Sequence, residues 1–502
     1  MTLRLLKPIR VILSLTFFFS ILFAFVDCRF FFSTTIAELV TFFQFLPSFL
    51  KFISLFTLAS SGFLFVLLLT LLFGRVYCSC VCPLGTIHDL IPGIWKRIRK
   101  KKYKYQTPGR ILAYSILLFI IASFIIGENF FINLLDPYGL TGKMLTALAK
   151  PALYFLHNIF SWVMLQFNNQ SIHQIPIGKI SIASFIFASG FFILIFILAL
   201  FKNRWYCNLI CPVGTLLGLV SRGSLLKITL DPEKCNHCHL CANVCKAGCI
   251  DTKNQFLEFD RCVACFNCIK ACNNKAIAYR LSKPKTRISD KNGKLSRRKF
   301  MKRTIIGTAG LAGALTIEKV FSAKTKIKDP YPVTPPGSIS YRNFSEHCIS
   351  CHLCVSVCPT QVLQPVFFEY GLTGILQPKM DFRTNYCSLD CVECSQVCPS
   401  GAIKKLTKEM KYQTQIGISV YIKNLCVVVV NSSHCGVCAR HCPVNAIEMV
   451  PYLDNLRIPR IDTKACIGCG ACEYSCVANP EKAIYVESNH YHRIIKKTIA
   501  RS

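Results

Sequence analysis

The spacing of the cysteines leaves this chain few ways to fold. Of its 31 cysteines, eight fall in two adjacent runs, "CNHCHLCANVC" (Cys235, Cys238, Cys241, Cys245) and "CVACFNCIKAC" (Cys262, Cys265, Cys268, Cys272). Each run reads C-x2-C-x2-C-x3-C. Cysteines at every third residue of a tight loop wrap three corners of a 4Fe-4S cubane, and the fourth corner is filled from the other run. The expected ligand sets are therefore Cys235, Cys238 and Cys241 with Cys272, and Cys262, Cys265 and Cys268 with Cys245. Structural zinc sites use two separated pairs rather than triplets with an outlier, so zinc fits poorly. Lys246 and Asn273 stand where a proline usually follows such runs.

Four more runs lie beyond residue 340: Cys348, Cys351, Cys354, Cys358; Cys387, Cys391, Cys394, Cys398; Cys426, Cys435, Cys438, Cys442; and Cys466, Cys469, Cys472, Cys476. The second and third are widened to C-x3-C and C-x8-C at their first step, while the inner spacing persists. About six cubanes are expected in all, with ligand exchange between runs. Spacing does not say which run pairs with which; in four-run ferredoxins the first commonly pairs with the fourth and the second with the third. Short apolar segments such as "GAI" at 401–403 and "NAIEMV" at 445–450 supply a thin core. Metal binding must then carry much of the folding free energy.

The other half of the chain is apolar. Hydrophobic residues make up 52% of the sequence and the mean hydropathy is +0.41, too high for an ordinary soluble protein. Four stretches, 10–31, 52–74, 110–132 and 180–201, are long enough to span about 30 Å of hydrocarbon. Glu38 and Pro47 in the stretch 34–50, and Lys150, Pro151 and His157 in 144–166, mark those two as interfacial elements. Arg4, Lys7 and Arg10, the loop "WKRIRKKKYKYQTPGR" at 95–110, and Lys202 with Arg204 belong on the cytoplasmic side. The four spans contain no histidine, which argues against haem held between them.

The spans end alike in pairs. "RVYCSCVCPLGT" at 75–86 and "RWYCNLICPVGT" at 204–215 share R-x-Y-C-x3-C-P-x-G-T, an internal repeat. It singles out Cys78, Cys82, Cys207 and Cys211 as redox candidates at the inner membrane face. A C-x3-C pair on one helical turn could ligate metal, form a reversible disulfide, help shape a quinone site, or simply pack as small apolar residues. Cys28, Cys80 and Cys249 have no repeat partner and read as bystanders.

The formal charge of +34 sits beside the apolar segments and suits anionic lipid rather than nucleic acid. Thiolates in bound cubanes would lower it. No Gly-rich dinucleotide fingerprint occurs, so direct NADH oxidation is not expected. His157, His490 and His492 read as solvated or interfacial, and no catalytic residue is assigned.

Between the halves, "SRRKFMK" at 296–302 fits the twin-arginine signal pattern and precedes a short Gly/Ala-rich segment, 304–316. That route exports folded cargo, as a domain needs when its metal is inserted first. The signal is internal because everything before it is already anchored. The expected organisation is a four-helix transmembrane domain at 1–220, a cytoplasmic two-cluster domain at 221–282, a linker with the signal and a Pro-rich tether at 283–340, and an exported four-cluster domain at 341–502. The fold class is an α-helical membrane domain, with four transmembrane helices, plus α+β ferredoxin-like 4Fe-4S domains.

These motifs resemble a known family. The front portion, with its spans, C-x3-C-P repeats and two cytoplasmic runs, is similar to NapH; the back portion, with its signal and four runs, resembles NapG, notably in "CVVVVNSSHCGVCARHCP". The resemblance implies two usually separate proteins fused in one chain of the inner membrane. It implies a multi-pass electron-transfer component, rather than a stand-alone catalyst, that relays electrons from membrane quinol to a periplasmic reductase, typically nitrate reductase, or its cytochrome partner. Quinone is then a further cofactor and the lipid bilayer a partner. Related membrane ferredoxins serve nitrous oxide reduction, copper-oxidase assembly and reductive dehalogenation, so redox or metal maintenance of a partner metalloenzyme is the alternative. The relay reading meets one difficulty: inner and outer clusters stand on opposite faces of about 30 Å of hydrocarbon, with no evident centre between them.

Overall fold

The computed structural model describes residues 5–26, 34–57, 60–99, 103–107, 109–168, 171–175, 178, 181–201, 203–281, 331–371, 374–453 and 455–495. The twin-arginine segment and the Gly/Ala-rich stretch after it lie outside the described residues, as does Cys28.

Leu, Ile, Phe and Val without charge leave the backbone no better partner than itself, and the front half is accordingly helical. Its helices are α1 (Leu6–Val26), α2 (Thr34–Phe42), α3 (Phe45–Leu55), α4 (Gly62–Phe73), α5 (Tyr77–Cys80), α6 (Pro83–Arg99), α7 (Arg110–Ile126), α8 (Phe130–Leu135), α9 (Pro137–Met144), α10 (Lys150–Gln166), α11 (Ile182–Phe201) and α12 (Pro212–Ser221). Among the described residues, α1 and α11 are long and apolar enough to cross a membrane.

The other two expected spans form shorter helices. The stretch 52–74 is broken after α3, where Phe56 takes a left-handed φ of 48°, and resumes as the 12-residue α4. The stretch 110–132 ends after 17 residues at Gly127, whose φ of 94° closes the helix. Conversely, the segment read as interfacial at 144–166 continues α9 without interruption, through a π-helical turn at Leu145–Ala149, into α10.

Two small cysteine-rich domains sit at opposite ends of α1, which at 21 residues is about 30 Å long. Near its start, Leu6 packs against the core of the two-run domain. That domain is closed by antiparallel β1 (Leu226–Leu230) and β4 (Ile277–Leu281), in register Leu226 to Leu281, with β2 (Ile250–Asp251) and β3 (Phe256–Leu257) as a short hairpin. Near the other end, Ile21, Ala24 and Phe25 share a core with Ile349, Cys351, Leu353 and Val397 of the four-run domain. That domain holds three antiparallel pairs: β5 (Leu363–Pro365) with β6 (Pro378–Met380), β7 (Thr414–Tyr421) with β10 (Ile484–Ile494), and β8 (Ile447–Pro451) with β9 (Arg457–Ile461).

The described part of the Pro-rich tether is not a free spacer. Val333 lies in the core of the four-run domain, and its carbonyl accepts from Met380 N–H at 2.9 Å. Prolines have no N–H to satisfy, so such a segment can be buried at little polar cost.

Candidate metal centres

Five of the six cysteine loops turn tightly because residues between their cysteines take left-handed conformations. In four runs the residues flanking the second cysteine do so: His237 and His239, Ala264 and Phe266, Ser350 and His352, Gly468 and Gly470. This alternation turns successive N–H groups inward, a nest suited to anions. For the non-glycine members it costs on the order of 1–3 kcal/mol each, a strain that something held by the loop must offset.

The loops bring the thiols together in fours. Cys241 lies within electrostatic reach of Cys235, Cys238 and Cys272, and Cys268 within that of Cys265, Cys262 and Cys245. These are the groupings expected from the exchange of fourth ligands. In the four-run domain the expected pairing order fails. Cys354 neighbours Cys351, Cys348 and Cys398, while Cys394 neighbours Cys387, Cys358 and Cys391. The first run therefore exchanges with the second, whose helices Leu353–Val357 and Glu393–Val397 pack side by side. The third exchanges with the fourth, since Cys438 neighbours Cys435, Cys476 and Cys426 and Cys472 neighbours Cys466 and Cys442. Adjacent loops close over adjacent hollows here, and long-range pairing is not needed. Pockets lie between Cys358, Cys387, Cys391 and Cys394 and between Cys426, Cys435, Cys438 and Cys476.

Burial pushes the Cys241 and Cys265 thiols up to about 11 and those of Cys351, Cys469 and Cys472 up to about 12. Crowded, desolvated thiols are poor anions alone and become thiolates when a cationic core displaces their protons. Among the described residues no three ligands are close enough to hold a single metal ion, while the four-cysteine donor sets and the hollows at two of them fit the larger cubane. Sequence reading missed Cys249, whose sulfur stands 3.6 Å from that of Cys245 and which lowers the Cys245 thiol by hydrogen bonding to it. Its placement four residues after a run was the available signal. His492 is half-buried, with Nε2 2.9 Å from Thr334 Oγ1.

The C-x3-C-P repeats converge in the helical half. Cys211 lies within reach of Cys207, Cys82 and Cys78, and all four belong to one buried cluster that also contains Val263 and Cys265 of the two-run domain. The repeat motif has the same geometry twice. The second cysteine's N–H donates to the carbonyl of the motif tyrosine five residues back, Cys82 to Tyr77 at 3.0 Å and Cys211 to Tyr206 at 2.9 Å. Each arginine crosses to the other repeat, Arg75 donating to Cys207 O at 3.0 Å and Arg204 to Cys78 O at 2.6 Å. The motif glycines make room for this: a Cβ on Gly85 would fall 2.2 Å from Cys78 O and 3.0 Å from Arg204, and one on Gly214 would fall 2.1 Å from Cys207 O and 2.9 Å from Arg75.

Comparison with known proteins bears on these sites. A 4Fe-4S binding domain model matches residues 55–102 and 185–230, and a 4Fe-4S dicluster domain model matches 312–402 and 433–480. The ferredoxin-type protein NapF of Escherichia coli is 32% identical over 161 residues, 32% of this chain and 87% of that one. NapG of Haemophilus influenzae is 30% identical over 199 residues, covering 36% of this chain and 68% of its own length. The chain belongs to the Nap-type ferredoxins. The methylamine utilization ferredoxin-type protein MauM of Methylobacillus flagellatus is also similar, 28% identical over 184 residues, 35% of this chain and 77% of that one. No solved structure matches this Nap-type ferredoxin. It is an iron-sulfur protein of ferredoxin-type electron-transfer function.

Proposed function

We propose that the chain is a membrane-bound relay carrying electrons from quinol to a periplasmic reductase through about six cubanes. The observation that carries this reading is the row in which the cysteine groups stand. Cys268 of one inner group is within reach of Cys241 of the other. At the far end of α1, the group at Cys348, Cys351, Cys354 and Cys398 adjoins that at Cys358, Cys387, Cys391 and Cys394. Cys387 N–H then donates to Cys469 O at 2.9 Å, leading to the next group, and Cys472 lies near Cys438 of the last. Cubanes bound in these groups supply one-electron carriage.

In this reading α1, α4, α7 and α11 together form the membrane domain, α3 and α10 filling what the shorter helices leave. The basic segments put the two-run domain in the cytoplasm and the four-run domain outside. A half-open, largely apolar pocket between α10, α11 and the four-run domain is lined by Lys150, Tyr154, Ser184, Gln361 and Leu363. It suits a quinol ring, whose oxidation passes electrons to the protein and protons to water. Lys150 Nζ is already held by Ser356 O at 2.5 Å beside the first outer group.

The test is anaerobic addition of a reduced menaquinone analogue to the full chain in detergent, with the clusters followed by EPR. Reduction by quinol supports the relay. Clusters that stay oxidised under quinol and respond only to dithionite overturn it.

A further inference from the structure

We infer that Cys78, Cys82, Cys207 and Cys211 together ligate one additional iron-sulfur cluster, shared by the two repeats and placed between the inner and outer groups. The inference deepens the relay reading and rests on it only for the cluster's use, not for its presence.

Neither repeat alone has four cysteines, and the structure brings the two half-sets into one buried group. All four are free thiols. What sets them apart from small apolar packing residues is the charge around them. Arg75 is 1% exposed, and a guanidinium cannot shed its proton. Its donors go to Asn208 Oδ1 at 2.8 Å, Asp260 O at 3.0 Å, Cys207 O at 3.0 Å and Cys78 Sγ at 3.8 Å. Its Nε has no hydrogen-bond partner among the described residues. No carboxylate pairs with Arg75 among the described residues; the nearby Asp260 carboxylate is bound to Arg222 at 2.8 Å and Arg110 at 3.4 Å.

Across the site, Arg204 is likewise 1% exposed. It shares the single carboxylate of Asp89 with Arg10 and Lys246, at 2.8, 2.8 and 3.2 Å. The pocket of positive charge is thus undercompensated, and burying unpaired charge costs several kcal/mol per ion. The groups within reach that can become anionic are the thiols. Four thiols that give their protons to solvent and bind a 4Fe-4S core carry a net charge of about −2, matching two arginines.

Position makes the site a bridge. On one side Cys265 of an inner group lies in the same core. On the other stands α9: its Leu140 and Met144 share that core, while its Gly139 and Gly142 lie against Ile349 O and Cys351 O of the first outer group. One helix, about 10–12 Å across with side chains, therefore separates the four thiols from the outer row.

The test counts iron and acid-labile sulfide in the anaerobically purified full chain and compares it with the Cys82→Ala/Cys211→Ala double variant. About 28 iron in the wild type and about 24 in the variant, with the other EPR signals kept, is the expected result. An unchanged count, or a disulfide among these four cysteines in the wild type, overturns the inference. Should the double variant misfold, Arg75→Gln keeps every ligand: one cluster signal moves to lower midpoint potential while the others hold, and Arg75→Lys restores it in part. No shift in any signal also overturns the site. If iron and potential behave as expected but quinol reduces the inner clusters equally fast in the double variant, the site stands and its bridging use fails.

Discussion

The close approach of α9 to the first outer cysteine loop can be tested by one atom group. A Cβ added at Gly142 would stand 2.3 Å from Cys351 O and 2.8 Å from the Phe25 ring. Ordinary contacts of this kind lie near 3.5 Å, so helix and loop must part by about 1 Å or the loop must reshape. Neither neighbour is the free end of a flexible side chain, since one is backbone and the other a ring in the shared core. Overpacking of this sort costs about 1–3 kcal/mol. If that cost falls on docking of the outer domain, opening at the contact rises about 5- to 150-fold. Hydrogen exchange of the full chain in detergent reads this directly: Gly142→Ala should speed exchange across 348–354 while exchange in β8 and β9 is unchanged. Gly190→Ala is the matched control, because no atom lies within 4 Å of its added Cβ and a helical Gly-to-Ala change is favourable by up to about 1 kcal/mol. Unchanged exchange at 348–354 in Gly142→Ala would refute the docked geometry and the one-helix separation drawn from it.

Two further outcomes follow from named contacts. Cys398→Ala should abolish the same EPR signal as Cys354→Ala and spare the one lost in Cys394→Ala, because the first two runs exchange their last cysteines; loss of the Cys394 signal instead would mean each run keeps its own four. Asp89→Asn removes the carboxylate shared by Arg10, Arg204 and Lys246, leaving buried cations uncompensated at a cost of about 3–5 kcal/mol. The melting temperature of the full chain in detergent should drop clearly, and an unaltered melt would show that these charges are solvated.

The cysteine runs were legible because ligand geometry is local. Three thiols on one tight loop must face one hollow, and no packing choice changes that. The partner of each fourth cysteine was legible in the two-run domain, where a single exchange is available. It was not in the four-run domain, where several are, and where contact between the helices Leu353–Val357 and Glu393–Val397 selects neighbouring runs. Hydropathy marked the apolar stretches, but not their ends: Phe56 at φ 48° and Gly127 at φ 94° stop two of them early.

By itself, the sequence determined what the chain can hold and that part of it is apolar, because composition and ligand spacing act at short range. The repeat R-x-Y-C-x3-C-P-x-G-T named its four cysteines without saying what they face. Only the tertiary structure decided that the two half-sets meet, that Arg75 and Arg204 cross between them, and that one glycine-faced helix stands between this group and the outer row. Those are distances between residues more than a hundred positions apart, and they are set by how helices pack rather than by any local preference of the chain.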